Sequence, residues 1–264
     1  MEKLFVIKIG GNVIDSEASL DAFLQDVARI DAPKILVHGG GKIATRIGEK
    51  LGIESKYVDG RRITDDGTID LVTMVYGGLI NKKIVAALQR YHCNALGITG
   101  ADGNLVPAVK RPVTTIDYGW VGDVKTQEMN AARWGALVAA GFVPVLAPLT
   151  HDGGAHILNT NADTMASSVA VCLAQQYAVR LIYCFEKKGI LGDIEQADSV
   201  ITRLDKTTYA SLKAAGKLFA GILPKIDNAF AAIDAGVKEV LIGHAGDLLQ
   251  NTGETTTGTL ITSR

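Results

Sequence analysis

Residues 37–50 read VHGGGKIATRIGEK, and the fold turns on how this stretch is read. An apolar run, ILVH (35–38), enters it and a helical pattern from about Gly41 to Leu51 leaves it. Glycines between a strand end and a helix start let backbone N–H groups approach an anion, aided by the helix dipole. A tight turn needs one or two glycines; three in a row point to anion binding. Two familiar templates fit badly. A P-loop would require glycine at position 36 and Ser or Thr after Lys42, where Leu36 and Ile43 stand. A dinucleotide fingerprint begun at Gly39 would need glycine at 44, where Ala44 stands. Alanine is sometimes tolerated there, but no acidic residue ends a second strand at the required distance.

A second glycine pair, KIGGN (8–12), leaves the run LFVIKI (4–9) in the same way, with Lys8 just ahead of it. Further apolar runs read as strands at 95–99, 142–146, 179–185 and 237–243, and polar strand-like pieces at 104–124 read as hairpins. Between them lie helical patterns from near Ser16, from Thr64 to about Arg90, at 161–176 and at 225–236. Thr64 or Asp65 is expected to cap the second, and Asn161 or Asp163 the third. Continuous apolar strands alternating with helices predict an α/β fold with a mostly parallel central sheet covered on both faces.

The chain of 264 residues is 47% hydrophobic, 21% charged and carries a formal net charge of −1. That balance gives no attraction to nucleic acid or anionic lipid. The longest apolar stretch (134–149) is broken by Gly and Pro and is short for a membrane span. MEKLFVIKIGG (1–11) lacks the apolar core and cleavage site of a signal peptide. Three cysteines, Cys93, Cys172 and Cys184, sit among apolar neighbours with no metal-type spacing, which reads as buried reduced thiols in a cytoplasmic protein. No histidine or carboxylate cluster suggests a metal held by the protein.

Several motifs in order, KIGGN (8–12), VHGGGK (37–42), DGRRIT (59–64), WVGDV (120–124), LNTNAD (158–163), GILPKIDNA (221–229) and GETTTGT (253–259), resemble the amino acid kinase family. Within it the resemblance is to the N-acetylglutamate kinase branch, since HGGG separates that branch from isopentenyl phosphate and glutamate 5-kinases. The resemblance implies a three-layer αβα sandwich. It also implies an acylglutamate-binding and dimerisation lobe (1–175) and an ATP-binding lobe (176–264), with ATP and Mg²⁺ as cofactors. Lys8 and Lys225 would neutralise the transferring phosphoryl group. Gly10, Gly11, Gly40 and Gly41 would donate backbone N–H bonds to it. Asp163 would organise the lysines, Arg62 and Asn159 would grip the substrate α-carboxylate, and Glu186 would face the nucleotide. A γ-carboxylate, with a reference pKa of about 4.3, is ionised at neutral pH, so no general base is required. Lys42 and His38 receive no chemical role.

Two departures from the family pattern stand out. FEKKG (185–189) replaces the usual nucleotide-side turn, and its Lys187 and Lys188 are expected to face solvent. Arg61 replaces an apolar residue beside Arg62. With Lys110 or Arg111, it could meet an extra carboxylate and make N-succinylglutamate the substrate. Arginine-inhibited hexameric members carry an extra N-terminal helix that the residues before Lys3 do not provide. A homodimer insensitive to arginine is therefore expected.

Overall fold

The computed structural model describes residues 1–58, 60–193, 196, 198–218 and 222–263. Its contacts divide the chain into two compact units. One comprises Met1–Ile35 with Ala166–Arg264, and the other Leu36–Met165.

In the first unit the strands run in the order Arg203–Leu204, Thr259–Ile261, Glu239–His244, Ala178–Phe185, Lys3–Ile9. All neighbours are parallel except Glu239–His244 against Thr259–Ile261. Strand Ala178–Phe185 is buried from Val179 to Cys184, as expected of a central strand covered on both faces. The first strand pairs with it from Lys3 opposite Ala178 to Ile9 opposite Cys184. The two backbones close in at the end: a Cβ on Gly10 would lie 2.8 Å from the Cys184 carbonyl oxygen. Only glycine permits that approach.

Helix Glu17–Ala28 starts at Ser16, whose hydroxyl accepts from the Ser19 N–H at 3.3 Å. Helix Leu223–Asp234 packs on strand Glu239–His244 and is followed by Gly236 at φ 107°. Both helices match their sequence patterns. Lys34 and the pair Arg180–Glu239 are buried charged residues of this unit. Arg180, 3% exposed, bonds Glu239 at 2.8 Å and the carbonyls of Asn251 and Gly253.

In the second unit, strand Val143–Leu146 lies parallel to Leu36–Val37 on one side and Ala95–Ile98 on the other. Helices Gly41–Lys50, Asp66–Val72, Asn81–Arg90 and Ala131–Ala139 accompany it. Ala108–Lys110 and Gly122–Val124 form the hairpin expected within 104–124. Two further antiparallel pairs, Tyr57–Val58 with Arg61–Arg62 and Leu149–His151 with Ile157–Asn159, were not legible in the sequence. Strands of two or three residues leave too few positions to show alternation.

The pattern from Thr64 to Arg90 differs from the single α-helix expected. Asp65, not Thr64, caps it, accepting from the Thr68 N–H at 2.8 Å. The middle segment Thr73–Ile80 is π-helical between two α-helices. TMVYGGLI carries no charged side chain to mark a polar face, so its sequence does not distinguish one helical period from another. By length and composition the run Asp66–Arg90 could cross a bilayer. Here Leu71, Val72, Val75, Tyr76, Ile80, Ile84 and Leu88 are buried among the protein's own residues.

The division also differs from a single boundary near residue 175. The opening 35 residues group with the C-terminal part because the first strand pairs with Ala178–Phe185 along its whole length.

Candidate functional site

The expected site residues fall into two sets. Gly40, Gly41, Arg62, Asn159 and Asp163 belong to the second unit, and Lys8, Gly10, Gly11, Glu186 and Lys225 to the first.

In the second unit a cavity of about 210 Å³ is lined by Gly39, Gly40 and Gly41, by Tyr57, Arg61, Arg62 and Tyr76, and by Asn159 through Ala162. It is smaller than the clefts that hold drug-sized ligands, and a compact metabolite suits it. Helix Gly41–Lys50 begins at its wall, with Gly40 at the N-cap and no side chain capping it. The first N–H groups of a helix lack partners inside it and carry the positive end of the dipole. Gly40 sits at φ 152°, and a Cβ there would fall 2.2 Å from Ile80 Cδ1 and 3.2 Å from Tyr76 Cδ1. Backbone conformation and packing both demand glycine.

Arg62 is 7% exposed, which rules out a solvated surface arginine. Its Nη2 donates to the Gly41 carbonyl and to Thr45 Oγ1, both at 2.8 Å, and its Nη1 donates to Ser55 Oγ. The guanidinium also lies 4.8 Å from the centre of the Tyr57 ring. These contacts tie the arginine to the glycine loop. Asn159 Nδ2 donates to Thr64 Oγ1 at 3.0 Å, and Thr64 in turn donates to the Arg62 carbonyl at 3.2 Å. Arg61 also lines the cavity. Lys110 and Arg111 do not: Lys110 Nζ lies 3.9 Å from the Trp120 ring centre, and Arg111 Nε is paired with Asp123 at 3.1 Å. The idea that they join Arg61 is therefore corrected, since each is engaged elsewhere.

Helix Ala162–Leu173 separates the two cap candidates. Asn161 Oδ1 accepts from the Thr164 N–H at 3.0 Å, so Asn161 is the cap. Asp163 stands in the first turn with its Oδ1 buried.

In the first unit, Lys8 is half-buried near the end of the first strand, and Lys225 is half-buried in the first turn of its helix, just after Pro224. A cation is unhelpful to a helix N-terminus, so folding alone does not account for Lys225. Lys225, Lys187, Glu186, Gly189, Phe185, Ile222 and Ile242 line a cavity of about 200 Å³. Phe185 and Glu186 also border a second one of about 410 Å³, with Asn12, Asp26 and His244. Lys187 and Lys188 are both exposed, as expected; Lys188 is paired with Asp198 at 2.8 Å, and Lys187 borders the smaller cavity. Burial pushes the Cys184 thiol up to about 12 against the opposing charge of Lys8, so it stays protonated and is no nucleophile.

All three cysteines are buried and free of disulfides. Among the described residues no three His, Cys, Asp or Glu side chains gather into a metal-binding group. Asp59 and Gly221, which belong to the quoted motifs, lie outside the described residues. Sequence reasoning passed over Tyr57, Tyr76 and Phe185, because an isolated aromatic residue carries no spacing pattern.

The amino acid kinase family model matches residues 3–244. Acetylglutamate kinase of Cytophaga hutchinsonii is 54% identical over 258 residues, covering 97% of either chain. Acetylglutamate kinase of Parabacteroides distasonis is 53% identical over 96% of this chain and 98% of its own. Among solved structures, smu.665 of Streptococcus mutans UA159 is 28% identical, covers 99% of both chains and superposes with a TM-score of 0.75. The glycine loops, the buried arginine and this near full-length match agree: the chain belongs to the amino acid kinase family.

Proposed function

We propose that the protein is an ATP-dependent kinase that phosphorylates the γ-carboxylate of N-acetyl-L-glutamate, a step of arginine biosynthesis in the cytoplasm. Similarity to acetylglutamate kinases along nearly the whole chain carries the reading. A small cavity walled by glycine N–H groups and Arg62 supports it.

A carboxylate oxygen of the substrate attacks the γ-phosphorus, the bond from that phosphorus to the bridging oxygen breaks, and ADP leaves. Such a transfer passes through a loose transition state in which positioning and charge neutralisation do most of the catalytic work. Lys8 and Lys225 serve as the neutralising cations, and Asp163 organises them. Gly10, Gly11, Gly40 and Gly41 offer backbone N–H donors, Glu186 borders the nucleotide, and Arg62 and Asn159 hold the α-carboxylate. Mg²⁺ would be held mostly by the phosphate oxygens of ATP and would offset their charge.

Incubation with ATP, Mg²⁺, hydroxylamine and N-acetylglutamate tests the reading. Acyl hydroxamate is expected, and its absence with every N-acylglutamate overturns the assignment. Lys225→Ala is expected to lower kcat far more than ATP affinity.

A second reading, N-succinylglutamate as substrate, draws on Arg61 at the cavity wall beside Arg62. It requires a higher kcat/KM for the succinyl than for the acetyl compound, and Arg61→Leu should abolish that preference. The enzyme is further proposed to be a homodimer. Met74 and Leu79, 57% and 39% exposed on a helical run whose other large apolar residues are buried or half-buried, supply an apolar surface for it. A monomer in analytical ultracentrifugation refutes this.

A further inference from the structure

Phe185 closes the strand Ala178–Phe185, one position past Cys184, which stands opposite Ile9 of the first strand. The Lys225 Nζ lies 4.0 Å from the centre of its ring, and the Lys8 Nζ lies 5.5 Å from the same centre. Both distances are within the range over which an ammonium group is attracted to the face of an aromatic ring. Two like charges, from residues far apart in the sequence, thus converge on one side chain. The ring is itself set by the Tyr183 ring, stacked on it at 6.2 Å between centres and 23° from parallel. Phe185 also borders both cavities of its unit, so its position bears on what either accepts.

We propose that Phe185 is a positioning residue for phosphoryl transfer, a shared aromatic seat that holds the Lys8 and Lys225 ammonium groups in place. The inference rests on the reading above, in which these two lysines neutralise the phosphoryl group. A lysine head is a compact charge on a flexible four-carbon stem, and ordering it at the moment of reaction costs entropy. A ring that attracts both heads orders them beforehand. Preorganised charge acts on the transition state, and a misplacement of about 1 Å can cost on the order of 100-fold in rate. The seat therefore acts on kcat. A ring that merely filled space would act through packing, whereas one that merely touched the nucleotide would act on the ATP KM.

The test replaces Phe185 with 4-fluoro-, 3,5-difluoro- and 3,4,5-trifluorophenylalanine, which drain electron density from the ring face at nearly constant size. Phe185→Leu and Phe185→Tyr accompany them. Turnover is expected to fall stepwise along the fluorinated series, with Tm unchanged and the ATP KM nearly so. Phe185→Leu is expected to lose about 10-fold in kcat, and Phe185→Tyr to keep most of it, in line with the strength of such contacts. A kcat flat across the fluorinated series, or a change confined to the ATP KM, overturns the proposal.

A second readout does not depend on activity. In the free protein the ε-methylene resonances of Lys8 and Lys225, assigned with Lys8→Arg and Lys225→Arg, should show ring-current shifts that vanish in Phe185→Leu. Their absence in the wild-type protein also overturns the seat. Shifts present in a protein that phosphorylates no acylglutamate would leave the seat standing and remove the reaction assigned to it.

Discussion

His38 and Asn81 share a buried hydrogen bond, with the Asn81 Nδ2 3.1 Å from the His38 Nε2. Lys82 Nζ donates to Asn81 Oδ1 at 3.0 Å, which turns the amide so that Nδ2 faces the ring. The same Nδ2 reaches the Val145 carbonyl at 2.9 Å. Nε2 of His38 is thereby the acceptor, and Nδ1–H donates to the Gly39 carbonyl at 2.8 Å. A neutral histidine of fixed tautomer braces the first glycine of the loop.

This arrangement predicts a pH-dependent stability. Burial lowers the His38 pKa from 6.5 to about 4. The unfolded chain takes up a proton as pH falls below 6.5, while the folded protein does so only near 4. Stability from the neutral ring is thus present above 6.5 and lost as pH falls toward 4. From pH 7 to pH 5 the loss amounts to about 2 kcal/mol. Urea denaturation at the two values measures it, and His38→Gln should show a shallower dependence.

Gly40→Ala should harm both stability and substrate binding. The added methyl meets Ile80 Cδ1 at 2.2 Å, and φ 152° strains any side chain. Trimming Ile80 to Ala in the same protein relieves the clash but leaves the backbone strain, about 1–3 kcal/mol. The double variant should therefore recover part of the lost Tm and little of the acylglutamate affinity.

Arg62→Lys should not be conservative. The guanidinium joins the Gly41 carbonyl, Thr45 and Ser55 at once and lies against Tyr57. A lysine cannot reproduce this planar fork. We expect kcat/KM for N-acetylglutamate to fall by about 10- to 100-fold, with the ATP KM little changed. Initial-rate kinetics with either substrate varied separates the two effects.

Glu239→Ala should be among the most destabilising substitutions, at about 3–5 kcal/mol, because it strands the buried Arg180 without its counter-charge. Replacing both partners, Arg180→Met with Glu239→Leu, should restore most of the loss. Thermal denaturation of the single and double variants checks the pair.

Much of the architecture is legible in the chain. The strand at 179–185 announces itself by a run of apolar residues, and Ser16, Asp65 and Asn161 mark helix starts through short polar side chains that accept from the N–H three positions on. Those are local rules, complete within a few residues. The glycine loop at 39–41 belongs with them: its lysine fails the P-loop spacing, and no side chain caps the helix beginning at Gly41. The family followed from the order of several such motifs.

What the sequence by itself determined is this local layer, the alternation of strands and helices, the caps and the glycine turns, because each depends on near neighbours along the chain. Only the tertiary structure decided that Thr73–Ile80 winds as a π-helix, that Arg62 is buried against the Gly41 carbonyl, and that the opening 35 residues pack with the C-terminal part. It alone brought Lys8 and Lys225 to one phenylalanine ring. Those outcomes depend on contacts between residues distant in sequence, whose free energies are settled when apolar surfaces and charges find partners in three dimensions.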